Sequence, residues 1–180
     1  WWTLVLMSLF SLASCSEMFL ILRVKDMGFS DTHVILMYAF SNLLYALIAY
    51  PAGRMSDHYG RWRVIGVGWG LYTFAAFGFA FAGSATVLPV YLCYGLYLGL
   101  TDGVGKALAA DFAPKEKRGT ALGIFYMCVG FAALLGNIGA GLLRDHVSKE
   151  APFLMSGALG AICVVMLLIV SRMRPDRVKM

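Results

Sequence analysis

Three ionisable residues stand inside long apolar stretches of this 180-residue sequence: Glu17, Asp102 and Lys106. A charge at such a position is costly, so these residues are candidates for binding or proton transfer. Asp102 and Lys106 are four residues apart, which places them on one face of a helix where they can form an ion pair. Tyr91 lies about 20° from Asp102 around the same helix and extends this polar face. We predict that these residues contact a solute or take up a proton.

The same residues also allow a structural interpretation. Lys106 is about one helical turn from the end of its apolar stretch and could extend to the membrane surface. Asp102 would then be only its ion-pair partner, because buried pairs often serve packing specificity. Glu17 would be a water-facing residue near the outer end of its helix. Both interpretations stay open at the level of the sequence.

A second group of candidate residues follows the second apolar stretch, from Gly53 onward. The segment reads Gly-Arg-Met-Ser-Asp-His-Tyr-Gly-Arg-Trp-Arg. The glycine at its start permits close approach of a helix end, and Gly60 permits a left-handed turn. Asp57 can pair with Arg61 or Arg63, or lie at the start of an adjoining helix. The plain alternative is an ordinary arginine-rich turn.

A third group lies where the fourth apolar stretch ends and the fifth begins. Asp111 is followed by Pro114, which cannot continue a helix, and then by Arg118. An arginine at the start of a helix is unfavourable unless an acidic group neutralises it. Asp111 and Asp57 are the carboxylates available for that role.

The apolar stretches that position these residues are long enough to cross a membrane. Hydrophobic residues make up 60% of the sequence and charged residues only 14%, and the mean hydropathy is +0.75. A bilayer core needs about 20 apolar residues in a helix. The uncharged run from Val64 to Thr101 would be about 57 Å long as one helix, so it must fold back at Gly83-Ser84. The predicted spans are about 2–22, 34–52, 64–82, 88–110, 120–143 and 152–171, with a basic tail at 172–180.

The distribution of Lys and Arg between the loops predicts the orientation. Six spans place both ends on one side, which holds ten of the fifteen basic residues; the other side holds four, and Lys106 lies within a span. The richer side is expected in the cytoplasm. We therefore predict an integral protein of the lipid bilayer, in a cell inner membrane, with both termini cytoplasmic. No basic face on a soluble fold is predicted, so nucleic acid is not an expected partner.

The segment that begins at Gly53 resembles the G-x-x-x-D-x-x-G-R-[KR]-[KR] loop motif of the major facilitator superfamily, except that Trp62 replaces a usual basic residue. The segment from Asp111 to Gly119 is similar to the family's acidic-x-x-Pro-x-x-x-Arg-Gly loop between the fourth and fifth helices of each half. The order of spans and loops extends this resemblance over the whole chain.

The resemblance implies an all-α membrane fold of six transmembrane helices, arranged as two inverted three-helix repeats that form half of a major facilitator fold. The fourth span lacks the early arginine typical of the N-terminal half, and Gly136-Asn137 replaces its Gly-Pro pair. The chain is therefore similar to the C-terminal half. We expect the N-terminal six-helix half as a partner that is absent from this chain, and the start at Trp1 is expected of a piece of a longer protein.

The resemblance also implies a secondary active transporter that moves a small-molecule substrate by alternating access, with proton coupling. In this family the first helix of each repeat lines the central cavity, and spans 1 and 4 are the spans that carry charges here. We expect substrate contact or proton coupling from Glu17, Tyr91, Asp102 and Lys106. We expect a cytoplasmic gate from Gly53, Asp57, Gly60, Arg61, Arg63, Asp111 and Arg118.

Two other classes of protein fit part of the pattern. A rhomboid-like intramembrane protease also has six spans, but it needs a G-x-S-G serine and a histidine within a span, and the sequence has neither. An enzyme is therefore not predicted. The four cysteines have no C-x-x-C spacing, so neither a metal nor a cofactor is expected. A native six-helix protein that acts as a parallel homodimer or as a non-transporting partner subunit stays an alternative.

Overall fold

The computed structural model describes residues 2–111 and 114–173, and its secondary structure within these ranges is entirely helical. Six helical units are long and apolar enough to cross a membrane, with the first two helices forming one unit. The predicted all-α membrane fold is therefore confirmed. Most of the predicted basic tail, residues 174–180, lies outside the described ranges. The helices are α1 (Trp2–Ala13), α2 (Glu17–Asp26), α3 (Asp31–Tyr59), α4 (Arg61–Phe81), α5 (Val87–Asp111), α6 (Arg118–His146) and α7 (Ala151–Met173), with a 3-10 turn at Lys115–Lys117.

The first span is not the continuous helix that its hydropathy suggests. Helix α1 ends at Ala13 and α2 begins at Glu17, with Ser16 as N-cap, whose hydroxyl accepts a hydrogen bond from the Met18 backbone N–H at 3.4 Å. A break inside a bilayer leaves backbone groups that must find partners within the protein. A hydropathy pattern cannot predict this break, because the three residues between the helices are small and uncharged and do not interrupt the apolar stretch.

Side chains of two other helices satisfy the backbone at this break. The Cys15 N–H donates to the Tyr72 hydroxyl of α4 at 2.7 Å, and the Ser16 N–H donates to the Asn137 amide oxygen of α6 at 2.8 Å. The Tyr72 hydroxyl in turn donates to the Ala13 carbonyl at 3.4 Å. These contacts with α4 and α6 hold the break between α1 and α2 in place. The break is therefore part of the packing of the bundle.

Helix α3 extends beyond the predicted second span and includes most of the predicted loop. It continues through Pro51 to Tyr59, and the chain turns only at Gly60, whose φ of 96° suits glycine. Helix α4 starts at the next residue, Arg61. The motif is therefore a helix end followed by a one-residue turn, which brings Asp57 and Arg61 onto facing positions.

Helix α4 is the central element of the packing. It lies between α5 and α7, while α3 packs along the other side of α5. Aromatic rings fill the centre: Phe10 of α1 stacks on Trp69 with ring centroids 4.3 Å apart, and Phe79 stacks on Phe153 at 5.6 Å. Rings at such distances prefer offset or edge-on arrangements and give the core a defined geometry. This aromatic core supports the candidate site.

Candidate functional site

A cavity of about 190 Å³ opens between α1, α4, α5 and α6. Its walls are mainly apolar, with polar groups contributed by Ser11, Ser14 and Thr101. Asp102 and Lys106 both line it from α5. Concave, mostly apolar sites with a few polar groups are typical of small-molecule binding. Aromatic rings form much of the wall: Phe10, Trp69, Tyr97, Phe125 and Tyr126.

The predicted pair of Asp102 and Lys106 forms an ion pair in this cavity. The Lys106 ammonium lies 2.8 Å from Oδ2 of Asp102, with the two residues one helical turn apart. Both side chains are only partly exposed, at 46% for Lys106 and 37% for Asp102. The pair therefore presents one acidic and one basic group to the cavity while keeping its net charge close to zero.

Sequence reasoning missed a third member of this group, Tyr45 of α3. Its hydroxyl donates to the same Oδ2 of Asp102 at 2.9 Å. The two residues are 57 positions apart, so only the packing of α3 on α5 brings them together. The sequence offers a weak signal at most, because Tyr45 stands in an apolar stretch that contains two other tyrosines, Tyr38 and Tyr50.

The structure places Glu17 and Tyr91 away from the cavity wall formed around Asp102. Glu17 lies in the first turn of α2 and is partly buried. Tyr91 is fully buried in α5 against Phe79, with ring centroids 5.7 Å apart. One carboxylate oxygen of Glu17 and the hydroxyl of Tyr91 are buried without a hydrogen-bond partner in the described part of the chain. Of the four predicted binding or coupling residues, the cavity therefore brings together Asp102 and Lys106.

A second polar group joins the ends of α3, α4 and α5, and we call Asp57, Arg61 and Asp111 the Arg61 cluster. Arg61 contacts Asp57 at 3.4 Å, and its Nε donates to the carboxylate of Asp111. The sequence allowed either carboxylate to neutralise Arg118, but both contact Arg61 instead. The reason is geometric: the single turn at Gly60 sets Arg61 directly beside the end of α3.

The remaining predicted gate residues surround the Arg61 cluster. A depression of about 410 Å³ at this end is lined by Gly60 and Arg63 together with the three members of the cluster. The carbonyl of Gly53 accepts a hydrogen bond from the Ser56 hydroxyl at 2.7 Å, inside α3. Arg118 is the first residue of α6 and is exposed.

A network of charged residues lies at the opposite end of the bundle. From the sequence, we used its basic residues only to predict the orientation in the membrane. Arg23 of α2 is buried and donates to the carbonyls of Phe79 and Ala80 at 3.1 and 3.2 Å, where α4 ends. It also pairs with Glu150, which precedes α7, at 2.6 Å. This hydrogen bond lowers the pKa of the Glu150 carboxyl below its usual range. Arg23 thus ties three helices together.

Two further basic residues form a second group of ion pairs at this end of the bundle. Asp26, at the end of α2, contacts Arg144 of α6 at 2.6 Å and Lys149 at 3.1 Å. We call Arg23, Asp26, Arg144, Lys149 and Glu150 the Arg23 cluster. A usable signal was present in the sequence, because acidic and basic residues alternate beside the ends of these spans.

Within the described ranges, no three His, Cys, Asp or Glu side chains are grouped so that they could hold a metal ion. The chemistry available to the site comes instead from the aromatic cavity, the ion pair inside it and the charged clusters at the two ends of the bundle.

Six helical units that are long and apolar enough to cross a membrane, four of which surround a mainly apolar cavity, define an integral membrane protein. The sequence matches the profile of the Major Facilitator Superfamily over residues 2–179, and the chain belongs to this superfamily. The resemblance carried by the two loop segments is thereby confirmed.

Similar proteins include one that is named as a transporter of this family. The chain is 32% identical over 174 residues to an uncharacterized MFS-type transporter of Methanocaldococcus jannaschii, covering 93% of the chain and 44% of the relative. It is 26% identical over 144 residues to the quinolone resistance protein NorA of Staphylococcus aureus, covering 79% of the chain and 37% of that protein. It is 28% identical over 125 residues to the probable sphingolipid transporter spinster homolog 1 of Arabidopsis thaliana, covering 67% and 25%. The chain spans less than half the length of these relatives.

Proposed function

We propose that the protein is a secondary active transporter that moves a small amphipathic organic solute by alternating access, coupled to protons. The observation that carries the proposal is the Asp102–Lys106 ion pair inside an aromatic cavity. A pair with a net charge near zero can exchange partners with a charged solute or a proton without leaving a bare charge in the membrane. The family is one of transporters rather than enzymes.

The proposed transporter has a second six-helix half that completes the cavity. The matched relatives are more than twice as long as the segments that align with this chain. Alternating access requires a site between two units that rock against each other. The Lys and Arg count supports an arrangement with both termini of this half in the cytoplasm, which places the Arg61 cluster there. The proposed membrane is the inner membrane of a cell.

The proposed gate at the cytoplasmic end is the Arg61 cluster with the residues around it. Arg61 bridges the end of α3 to the end of α5 through Asp57 and Asp111. Such a bridge stabilises the state in which these helix ends are close and must loosen when they separate. Gly53, Gly60, Arg63 and Arg118 complete the proposed gate at this end.

The proposed substrate class follows from the cavity wall. Aromatic rings and aliphatic side chains favour a planar apolar group, while the carboxylate and the ammonium offer one partner each for an ionised group. The names of two relatives, a quinolone resistance protein and a probable sphingolipid transporter, are compatible with amphipathic solutes. We propose aromatic compounds that carry a positive charge or both charges.

The proton-coupling group proposed first is Asp102, with Glu17 as the second candidate. A coupling carboxylate must gain and lose a proton in each cycle, whereas exchange of substrate for substrate needs no net proton movement. Asp102→Asn should therefore abolish pH-gradient-driven uptake and retain exchange. The assay uses the complete natural polypeptide in proteoliposomes with the quinolone norfloxacin and the cation ethidium as probes.

A double variant separates coupling from a structural role. If Asp102 serves only to pair with Lys106, then Asp102→Asn leaves an unpaired ammonium, and adding Lys106→Met should restore both folded yield and driven uptake. Full driven uptake in the double variant would exclude Asp102 as the coupling group and leave Glu17. Absence of any uptake of either probe by the wild type would contradict the proposed substrate class.

A further inference from the structure

The carboxylate of Asp102 receives two hydrogen bonds on one oxygen from two different helices. Oδ2 accepts from the Lys106 ammonium at 2.8 Å and from the Tyr45 hydroxyl at 2.9 Å. Lysine is long and has several rotatable bonds, whereas a tyrosine hydroxyl moves only with its ring. The tyrosine is therefore the contact that limits the orientation of the carboxylate.

The packing of α3 on α5 is what allows the hydroxyl to reach Asp102. Two glycines of α5, four residues apart, face α3 at its closest approach. A Cβ atom at Gly95 would lie 2.6 Å from the Ser41 carbonyl oxygen, and one at Gly99 would lie 2.8 Å from Cβ of Ile48. Any larger residue at either glycine would push α3 away and lengthen the Tyr45–Asp102 contact. Gly95 and Gly99 therefore determine the distance between α3 and α5 close to the Asp102–Lys106 pair.

We propose that Tyr45 is a positioning residue for Asp102, which it holds in one orientation toward the cavity and Lys106. This inference rests on the proposed function, because it assigns Tyr45 a role in the proton-coupled cycle. Tyr45 itself does not line the cavity, so it acts through the carboxylate and not by touching the solute. Its loss should impair driven uptake much more than solute affinity.

Tyr45→Phe tests the inference because it removes the hydroxyl and keeps the ring. In proteoliposomes of the complete natural polypeptide, with norfloxacin and ethidium as probes, we expect the maximal rate of pH-gradient-driven uptake to fall about tenfold, the effect of one charged hydrogen bond. The KM for exchange should stay within about twofold, a difference well below that of one hydrogen bond. Tyr50→Phe is the matched control, since Tyr50 lies on the same helix with an exposed side chain.

A double-variant cycle shows whether Tyr45 acts through Asp102. Thermal unfolding is measured for the wild type, Tyr45→Phe, Asp102→Ala and the combination, because alanine removes the oxygen that asparagine would still offer to the tyrosine hydroxyl. If Tyr45 positions Asp102, then Tyr45→Phe adds nothing measurable once Asp102 is alanine. Equal losses in both backgrounds, or driven uptake like that of the wild type in Tyr45→Phe, would overturn the inference.

Different results would contradict the proposed function and the proposed role of Tyr45. If the wild type transports neither probe, the proposed substrate class is wrong, and the thermal cycle alone decides on Tyr45: additive changes overturn its role and non-additive changes support it. If the wild type transports a probe and Asp102→Asn keeps full driven uptake, Asp102 is not the coupling group, and Tyr45 as its positioning residue is overturned with it.

Discussion

The two ends of the helix bundle hold their charges in different ways. The Arg23 cluster joins α2, α4, α6 and the start of α7 through short contacts, and the side chain of Arg23 is only 10% exposed. The Arg61 cluster joins the end of α3, the start of α4 and the end of α5, and its carboxylates are 69% exposed at Asp57 and 43% at Asp111. The central arginine of the Arg23 cluster is therefore part of the packed interior, whereas the carboxylates of the Arg61 cluster lie toward the surface.

This difference separates stability from conformational control. A buried arginine that donates to backbone carbonyls is costly to remove, because the buried carbonyls are left without a hydrogen-bond donor. Exposed pairs contribute little to stability, yet they can shift the balance between two conformations that differ only in the distance between helix ends. We therefore expect the Arg23 cluster to determine how firmly this half is folded, and the Arg61 cluster to bias the transport cycle.

The largest expected effect is that of Arg23→Met. The substitution removes the donor for Glu150 and for two backbone carbonyls at the end of α4. We expect a loss of about 3 kcal/mol in stability, mainly because two buried carbonyls are left without a donor, and this loss should be visible as a lower unfolding temperature of the purified protein in detergent. Lys25→Met is the matched control, because Lys25 lies on the same helix and pairs with the exposed Asp31. Equal loss in both variants would contradict the comparison.

Arg61→Met should act mainly on transport. The substitution removes the bridge between Asp57 and Asp111, and we expect about 1–2 kcal/mol of bias away from the state in which the helix ends are close. Reactivity of a cysteine placed at Ser56 toward a thiol reagent added from the proposed cytoplasmic side should rise. The unfolding temperature should change less than in Arg23→Met. A larger thermal effect than that of Arg23→Met would reverse the assignment of the two ends.

Within the Arg61 cluster, Asp111→Asn should have a stronger effect than Asp57→Asn. Arg61 donates directly to Asp111 through Nε, whereas Asp57 is 3.4 Å away and more exposed. Asp57→Asn should still raise labelling of the cysteine at position 56 and lower transport while leaving solute binding largely intact. The same labelling and uptake assays rank the two variants. Wild-type behaviour of both would leave this segment as an ordinary loop without a gating role.

The smallest effect is expected from acidification at the Arg23 end. The pKa of Glu150 is lowered in the folded protein by its hydrogen bond with Arg23. Its contribution to stability is therefore present above the usual glutamate pKa of about 4 and is lost as the pH falls through the lower folded-state value. Unfolding temperatures measured at falling pH should decline more for the wild type than for Glu150→Gln. If the unfolding temperatures of the wild type and Glu150→Gln fall equally with pH, the charge of Glu150 contributes nothing to stability.

The sequence was sufficient for the features that depend on composition and local spacing. Long uncharged stretches predict the six spans, and a four-residue spacing predicts the Asp102–Lys106 pair, which the structure confirms at 2.8 Å. Gly60 predicts the turn at which α4 starts. These features depend on neighbouring residues, so they can be inferred without knowing how the helices pack.

Contacts between distant residues were beyond such reasoning. Tyr45 reaches Asp102 only because α3 lies close to α5, and Arg23 contacts carbonyls at the end of α4 that are 56 and 57 positions away. The break in the first span depends on partners from α4 and α6, Tyr72 and Asn137, rather than on proline or glycine within the span. A hydropathy pattern carries no information on these contacts.

The interruption of the first span also divides its backbone dipole. An unbroken helix across the membrane would keep its partial charges at the two surfaces, about half a unit at each end. Here the C-terminal end of α1 and the N-terminal end of α2 meet in the middle of the span, between Ala13 and Glu17. The carboxylate of Glu17 lies at the partly positive start of α2, which favours a negative charge and offsets part of the cost of burying it. The centre of this span is therefore electrically polarised although its sequence there is almost entirely uncharged.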